Sequence, residues 1–243
     1  MKHPVLKLIP HLITLLNLVT GTLSIFFAYH DLIIWASYSI LLAALLDYLD
    51  GFLARLLDVE SAFGRELDSL ADVVSFGLGP AVLMFHLLEK NMSLGSDFFI
   101  PFMAFLMVVF SAIRLARFNI QEHADKSYFR GLPVPANAIF ISGLMILVGN
   151  QTPLLYEYLT NSYVLIGIII GSSLLMVSNI PMLSFSFKDQ AFNENLIRYV
   201  FIALSILLLL IFKVNGLFFI MLMYILAGVF LYIRQMVLNR NID

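Results

Sequence analysis

The chain has 243 residues, of which 61% are hydrophobic and 12% are charged, and its formal net charge at neutral pH is −2. Soluble domains carry about 25% charged residues, so this composition excludes an ordinary soluble fold and predicts an integral membrane protein. Because the chain has no cysteine, disulfides, thiolate zinc sites and cysteine nucleophiles are excluded as well.

Apolar runs along the whole chain predict an all-α, polytopic helical bundle. A hydrocarbon core of about 30 Å requires about 20 apolar residues per helix. By that measure we expect about eight transmembrane helices, at residues 8–29, 32–56, 67–88, 98–118, 134–150, 162–180, 196–213 and 216–238. The first run resembles a signal peptide, but it has polar residues and lacks a small-x-small cleavage site, so we expect it to be retained.

The distribution of basic residues predicts the orientation of this bundle. With the N-terminus inside, all but two of the 14 lysines and arginines fall on or near the cytoplasmic side, the exceptions being Lys90 and Lys213. Positive charge is enriched in the cytoplasmic loops of membrane proteins. We therefore expect a multi-pass protein of the cytoplasmic (inner) membrane with both termini in the cytoplasm.

A polar stretch lies at the cytoplasmic ends of the second and third predicted helices. Its residues recur at fixed intervals, namely Asp47, Asp50, Gly51, Ala54, Arg55, Gly64, Asp68 and Asp72. At 100° per residue, Asp47 and Asp50 share one helical stripe, while Asp68 and Asp72 lie one turn apart on the next helix. Four carboxylates that face one another cannot all stay ionised without a cation, and oxygen ligands favour Mg²⁺ or Mn²⁺.

An alternative interpretation places these aspartates in headgroup-level water as helix caps. A central aspartate costs about 2.5–3.5 kcal/mol on insertion scales, so four of them within this stretch indicate a functional site instead. Small residues such as Gly51 and Ala54 would let a ligand approach the backbone closely. Arg55 could neutralise a phosphate with its planar guanidinium.

The motif Asp47-x₂-Asp50-Gly51-x₂-Ala54-Arg55-x₈-Gly64-x₃-Asp68-x₃-Asp72 matches the signature of the CDP-alcohol phosphotransferases at every position. The chain resembles that family over about residues 9–190. The resemblance implies that the four aspartates hold two divalent ions, and that Asp72 is also the general base. It further implies a site for the CDP-linked lipid formed by Gly51, Ala54, Arg55, Gly64, Thr14 and Asn17, and a homodimer.

Three later stretches are similar to the phosphatidylserine-forming branch of this family: Ser111–Asn119, Tyr128–Asn137 and Val177–Pro181. This resemblance implies CDP-diacylglycerol and L-serine as substrates and CMP as a product. We expect Arg114, Arg117 and Asn119 to bind the acceptor, because a guanidinium can pair with the serine carboxylate in two-pronged fashion. Alternatively, these arginines anchor lipid headgroups, and glycerol phosphate or inositol phosphate would need similar charges.

Two residues depart from the family pattern: His11 stands where asparagine is usual, and Asn137 where many members have alanine. Neither affects the aspartates. Residues 1–190 are expected to form the catalytic membrane domain, with about six helices, and residues 191–243 to add two helices for packing or a subunit interface.

Two alternatives bear on the mechanism and on the class of protein. No serine or cysteine nucleophile with an adjacent base is visible, which favours direct transfer over a covalent intermediate. A divalent-metal or proton-coupled transporter also uses intramembrane aspartates, but the carboxylates here crowd one side and the later helices have almost none.

Overall fold

The computed structural model describes residues 4–91, 98–121, 131–152, 155–182 and 192–240. Lys126, Lys188 and the beginning of the Tyr128–Asn137 stretch therefore lie outside the described residues. Within the described ranges the chain forms helices joined by short turns. In order they are α1 (Pro4–Tyr29), α2 (Ile33–Leu56), α3 (Ala62–Asp72), a π-helical segment (Val73–Leu78), α4 (Gly79–Asn91), a 3₁₀ helix (Ile100–Phe105), α5 (Leu106–Gln121), α6 (Val134–Gly149), α7 (Tyr156–Thr160), α8 (Ser162–Val177), α9 (Phe192–Phe212), a 3₁₀ turn (Lys213–Asn215) and α10 (Gly216–Arg240).

Five helical segments in the described part of the chain are long and apolar enough to cross a membrane. They are Leu6–Tyr29, Ile33–Leu56, Ala62–Asn91, Ile100–Ile120 and Arg198–Arg234. Helices α6 and α8 are also apolar, but each has 16 residues and so measures about 24 Å. The prediction of an all-α membrane protein is confirmed, whereas the number of eight spans and the orientation stay predictions.

The third helical segment begins five residues earlier than the apolar pattern indicated. Its first helix, α3, starts at Ala62 because Ser61 caps it, accepting a hydrogen bond from the Gly64 backbone N–H at 3.0 Å. A serine at this position satisfies a backbone donor that the first helical turn leaves unpaired. The helix therefore extends through polar residues that a search for apolar runs does not count.

Helix α6 lies at the centre of the bundle. Twelve of its 16 residues are buried, including Ile141, Leu144 and Met145 with no exposure at all. It packs against α2 on one side and against α10 on another. A helix that is apolar all round is stable where neighbours surround it, so α6 forms the core on which the other helices pack.

Small residues allow α1 to approach the helix that follows the aspartates. A Cβ on Gly21 would lie 2.5 Å from the Ser75 Cα, and one on Gly79 would lie 2.7 Å from the Ser24 Oγ. Ser75 also donates a hydrogen bond to the Asn17 carbonyl at 3.0 Å. Close approach through small residues is a common way to pack helices in membranes. Here it fixes α1 against the segment that begins directly after Asp72.

The other end of the bundle carries a small group of charges. Asp31, in the turn between α1 and α2, contacts Lys90 and His86 of α4. The hydrogen bond with Lys90, followed by that with His86, lowers the pKa of the Asp31 carboxyl from its usual value. These contacts tie the α1–α2 turn to α4 at the end opposite the aspartates.

Helices α9 and α10 form a hairpin, which we call the C-terminal hairpin. Lys213 turns the chain with a φ of 52°, and α10 then packs back against both α9 and α6. The contact with α6 is close: the rings of Phe140 and Phe218 stack with centroids 5.4 Å apart, and a Cβ on Gly143 would lie 2.7 Å from the Phe218 nitrogen. The hairpin is thus attached to the helical core in this structure.

Candidate active site

Four aspartates meet where α2 and α3 face each other. Oxygen atoms of Asp47, Asp50 and Asp68 all lie within 4.8 Å of one another. The carboxyl group of Asp47 also contacts those of Asp68 and Asp72. The short turn at residues 57–61 reverses the chain, so that the spacing along each helix places two carboxylates on each facing side. We call these four residues the aspartate cluster.

The aspartate cluster is suited to a hard divalent cation. Asp50 and Asp72 are only 5% and 6% exposed. Among the described residues, the Asp50 Oδ2 and the Asp68 Oδ1 are buried and have no hydrogen-bond partner. Buried carboxylate oxygens without a partner are costly, and Mg²⁺ and Mn²⁺ prefer oxygen ligands. The donor set and its unpaired oxygens therefore fit the predicted cofactor.

Helix α1 contributes two buried polar side chains to this cluster. Thr14 lies beside the Asp50 carboxyl and lines the cavity described below. Asn17 is fully buried, and its Nδ2 donates a hydrogen bond to the Asp72 Oδ1 at 3.5 Å. Asn17 is not among the described residues that line the cavity. The structure thus places Asn17, predicted to bind the lipid substrate, behind Asp72 as a support.

A cavity of about 740 Å³ opens above the aspartate cluster. Its size lies within the usual range for small-molecule sites. Its walls come from α1, α2, α3, α5 and the beginning of α6. Besides the four aspartates, the predicted site residues that line it are Thr14, Gly51, Ala54, Arg55, Gly64, Arg114 and Asn119.

The small residues of the motif keep part of this cavity open. A Cβ on Gly51 would lie 3.3 Å from the Arg55 Nη1, and one on Gly64 would lie 3.1 Å from the His11 Nε2. The His11 Nε2 is in turn 3.4 Å from the Ser61 Oγ. Larger side chains at the two glycines would therefore crowd Arg55 and His11, both of which line the cavity.

The three residues predicted to bind the acceptor do not all reach the cavity. Arg114 lines it, and its buried Nε has no hydrogen-bond partner among the described residues. Asn119 also lines it, and its Nδ2 donates to the Ser69 Oγ at 2.9 Å. Arg117 is exposed and is not one of the described lining residues, and its Nη1 donates to the Val177 carbonyl at 3.4 Å. Arg114 and Asn119 are brought together, and Arg117 lies apart.

Two residues that support the site were not predicted from the sequence. Ser61 caps α3 and so fixes the start of the helix that carries Asp68 and Asp72. A serine just before a helical pattern is a known start signal, so this residue was open to prediction. Ser69 holds Asn119 across 50 positions of sequence, and no local signal indicates such a contact.

The fold and site are those of a helical membrane protein with a cavity lined by carboxylates, and comparison with known proteins shows the family. The chain belongs to the CDP-alcohol phosphatidyltransferase family, whose family model matches residues 7–177. This confirms the resemblance drawn from the motif. The match ends at the last residue of α8, so α9 and α10 lie beyond it.

Curated relatives are similar over most of the chain. It is 35% identical to a CDP-diacylglycerol–serine O-phosphatidyltransferase of Helicobacter pylori (strain J99), over 97% of each chain. It is also 35% identical to a Methanocaldococcus jannaschii protein of the same name, over 91% of this chain and 92% of the relative. An archaetidylserine synthase of Methanothermobacter thermautotrophicus is 36% identical over 71% of this chain and 68% of the relative.

Replacement of one cluster aspartate should weaken binding of a divalent ion. Loss of an outer-sphere partner alone costs about 10–100-fold in metal affinity, so Asp68→Asn should lower Mn²⁺ affinity by at least that much. Titration of the purified protein with Mn²⁺, read by electron paramagnetic resonance of the free ion, measures the change. Glu66→Gln is the matched control, since Glu66 is an exposed acid on the same helix. Equal affinities in the two variants would remove Asp68 from the ligand set.

Proposed function

We propose that this protein transfers the phosphatidyl group of CDP-diacylglycerol to the hydroxyl of L-serine, giving phosphatidylserine and CMP. The observation that carries the proposal is the presence of the aspartate cluster and the partly unpaired guanidinium of Arg114 in one cavity. Membership of the family and the names of the relatives support the same reaction.

Bond formation and bond cleavage both occur at the phosphorus of the phosphatidyl group. The serine oxygen forms a bond to that phosphorus, and the bond to the bridging diphosphate oxygen breaks with its electron pair leaving on CMP. Asp72 takes the hydroxyl proton, because it is a buried carboxylate that lines the cavity. Asn17 holds Asp72 through the hydrogen bond to its Oδ1, which restricts the carboxylate to one orientation.

The aspartate cluster would hold two divalent ions, Mg²⁺ or Mn²⁺, through the oxygens of Asp47, Asp50, Asp68 and Asp72. When bound, these ions would neutralise the diphosphate and the charge that develops on departing CMP. Around them, Gly51, Ala54 and Gly64 leave room for the nucleotide. Thr14 and Arg55 also line the cavity and would contact the CDP portion of the lipid.

The acceptor would lie between Arg114 and Asp72. Arg114 on α5 and Asp72 on α3 both line the cavity. Serine carries a carboxylate at one end and a hydroxyl at the other. Its carboxylate would pair with Arg114 while its hydroxyl points to Asp72. Asn119 lines the same wall, whereas the placement of Arg117 gives no support to a role in the acceptor site.

Rival acceptors are phosphate-bearing alcohols such as glycerol phosphate and inositol phosphate, which would also pair with Arg114. The names of the relatives favour serine as the acceptor. Both names refer to a lipid that carries serine: CDP-diacylglycerol–serine O-phosphatidyltransferase and archaetidylserine synthase. The lipid portion differs between those two names. Transport of an ion receives no support, since the carboxylates gather in one cavity at one end of the bundle.

The arrangement in the membrane is part of the proposal. Eight spans with both termini inside would place the aspartate cluster at the cytoplasmic face, where serine and CMP are exchanged, while lipid tails enter from the bilayer. Residues 1–190 would form the catalytic domain, and residues 191–243 the two further helices. A homodimer follows from the family resemblance.

Release of CMP from CDP-diacylglycerol by the purified protein tests the reaction. With Mn²⁺ or Mg²⁺ present, release should occur with L-serine and should be negligible with glycerol 3-phosphate or inositol phosphate. EDTA should abolish it, because the cluster then lacks its cations. Release with a different alcohol only would reject serine as the acceptor, and release in EDTA would reject the metal.

The Asp72→Asn variant serves as the catalytic control for this assay. Loss of a general base costs about 10²–10⁴-fold in rate, so turnover should fall by that order while the helical content stays unchanged. Glu66→Gln, which changes an exposed acid two residues before Asp68 on α3, should retain its activity. Full activity of Asp72→Asn would show that another group takes the proton.

Introduced cysteines test the orientation, since the chain has none of its own. Glu60 in the α2–α3 turn and Tyr158 in α7 are both exposed. In intact cells a membrane-impermeant maleimide should label Tyr158→Cys and leave Glu60→Cys unlabelled until the membrane is opened. The reverse pattern would place the aspartate cluster at the outer face.

A further inference from the structure

Two neutral polar side chains form a hydrogen-bonded pair on the wall of the cavity. Ser69 of α3 and Asn119 of α5 both line the cavity, and both are half-buried. The Asn119 Nδ2 donates a hydrogen bond to the Ser69 Oγ at 2.9 Å. We call these two residues the Ser–Asn pair. The pair directly joins the helix that carries Asp72 to the helix that carries Arg114.

The other hydroxyl groups among the described lining residues belong to different parts of the cavity. Thr14 donates to a carbonyl of its own helix, α1. Ser61 caps α3 at the α2–α3 turn, and Tyr48 is exposed on α2. The Ser–Asn pair therefore supplies the neutral polar groups that lie on the same two helices as Asp72 and Arg114.

The spacing along these helices places the Ser–Asn pair beside the proposed acceptor. Ser69 precedes Asp72 by three residues, which is about one helical turn, so the two side chains are neighbours on α3. Asn119 follows Arg114 by five residues, or about 7.5 Å along α5. All four side chains line one cavity. An acceptor held between Arg114 and Asp72 would thus have the pair at its side.

The hydrogen bond within the pair determines which atoms can bind a ligand. Because the amide of Asn119 is planar and directs its Nδ2 to Ser69, its Oδ1 lies on the other branch and can accept a hydrogen bond. The Ser69 Oγ accepts one bond and keeps a second lone pair. Both oxygens are acceptors without a formal charge. An ammonium group has three N–H donors to offer them, whereas a carboxylate has none.

We propose that the Ser–Asn pair binds the ammonium group of the acceptor and so selects serine over alcohols that carry only negative charge. The inference rests on the proposed function. Arg114 repels a positive group, as would divalent ions in the aspartate cluster, so the ammonium turns to the uncharged acceptors. Since Arg114 can pair with a carboxylate or with a phosphate, the pair supplies a discrimination that the guanidinium does not.

The compound 3-hydroxypropionate, which is serine without its amino group, isolates this contact. With the full-length wild-type protein, CDP-diacylglycerol and Mn²⁺, kcat/KM for CMP release should be about 10–100-fold higher with L-serine, the order expected for hydrogen bonds to a charged group. In Asn119→Leu the two values should differ less than about threefold, because only serine loses a partner. The KM for CDP-diacylglycerol should stay unchanged. An inhibition constant against serine replaces kcat/KM where turnover of 3-hydroxypropionate is too slow to measure.

Two further variants serve as controls. Asn119→Asp keeps acceptor oxygens at this position and can accept a hydrogen bond from the Ser69 hydroxyl, so it should retain the preference for serine. Asn150→Leu makes the same change as Asn119→Leu at an exposed position at the far end of α6 from the cavity. It should leave both kcat/KM values unchanged.

The outcomes separate this inference from the proposed function. Equal kcat/KM values for the two acceptors in the wild-type protein would overturn the inference and leave the proposed function intact. An unchanged preference in Asn119→Leu, or a lost preference in Asn119→Asp, would overturn it as well. A parallel loss of activity with both acceptors in Asn119→Leu would show a structural role and would also overturn it. A wild-type protein that releases no CMP with serine would instead reject the proposed function.

Discussion

The mutual repulsion of four carboxylates, two of them buried and two half-buried, is the constraint on which the rest of the site depends. Unpaired ionised groups in a membrane protein's interior cost several kcal/mol each, so helix packing must hold them together and cations must balance them. Helices α2 and α3 supply two aspartates each, and two of their oxygens have no partner among the described residues. Without cations, this arrangement does not stabilise the folded state. It fits the proposed divalent ions, which would bring positive charge to the diphosphate of the substrate.

Helix α1 and the π-helical segment support Asp72, the residue proposed as the general base. Asn17 bonds to Asp72, and the Asn17 carbonyl in turn accepts from Ser75, which follows Asp72 by less than one turn. Gly21 permits this contact because a side chain there would collide with Ser75. Wider π-helical turns inside α-helices are frequent at functional sites. The orientation of Asp72 is therefore a property of how α1 packs, and the proposed direct transfer depends on it.

The positions of side chains along a single helix could be predicted from the sequence, whereas the contacts between helices could not. The spacing of four aspartates predicted that their carboxylates face one another, and the structure brings them together: Asp47, Asp50, Asp68 and Asp72. This was predictable because helical periodicity is a local property of the sequence. Arg114 and Arg117 were expected to act together, but three residues turn a helix through about 300°, which leaves them about 60° apart. One faces the cavity, and the other bonds to the end of α8. The contact of Asn119 with Ser69 joins distant helices, and no local pattern encodes it.

Exchange of labelled CMP into CDP-diacylglycerol tests the central claim, direct transfer to an acceptor bound beside Asp72, most directly. Purified protein with Mn²⁺ would be incubated with CDP-diacylglycerol and radiolabelled CMP, in the absence of serine. Direct transfer predicts no label in the lipid under these conditions, and label only after phosphatidylserine is added, because only the reverse reaction can then consume CMP. Label incorporated without phosphatidylserine would reveal a phosphatidylated enzyme and would contradict the account.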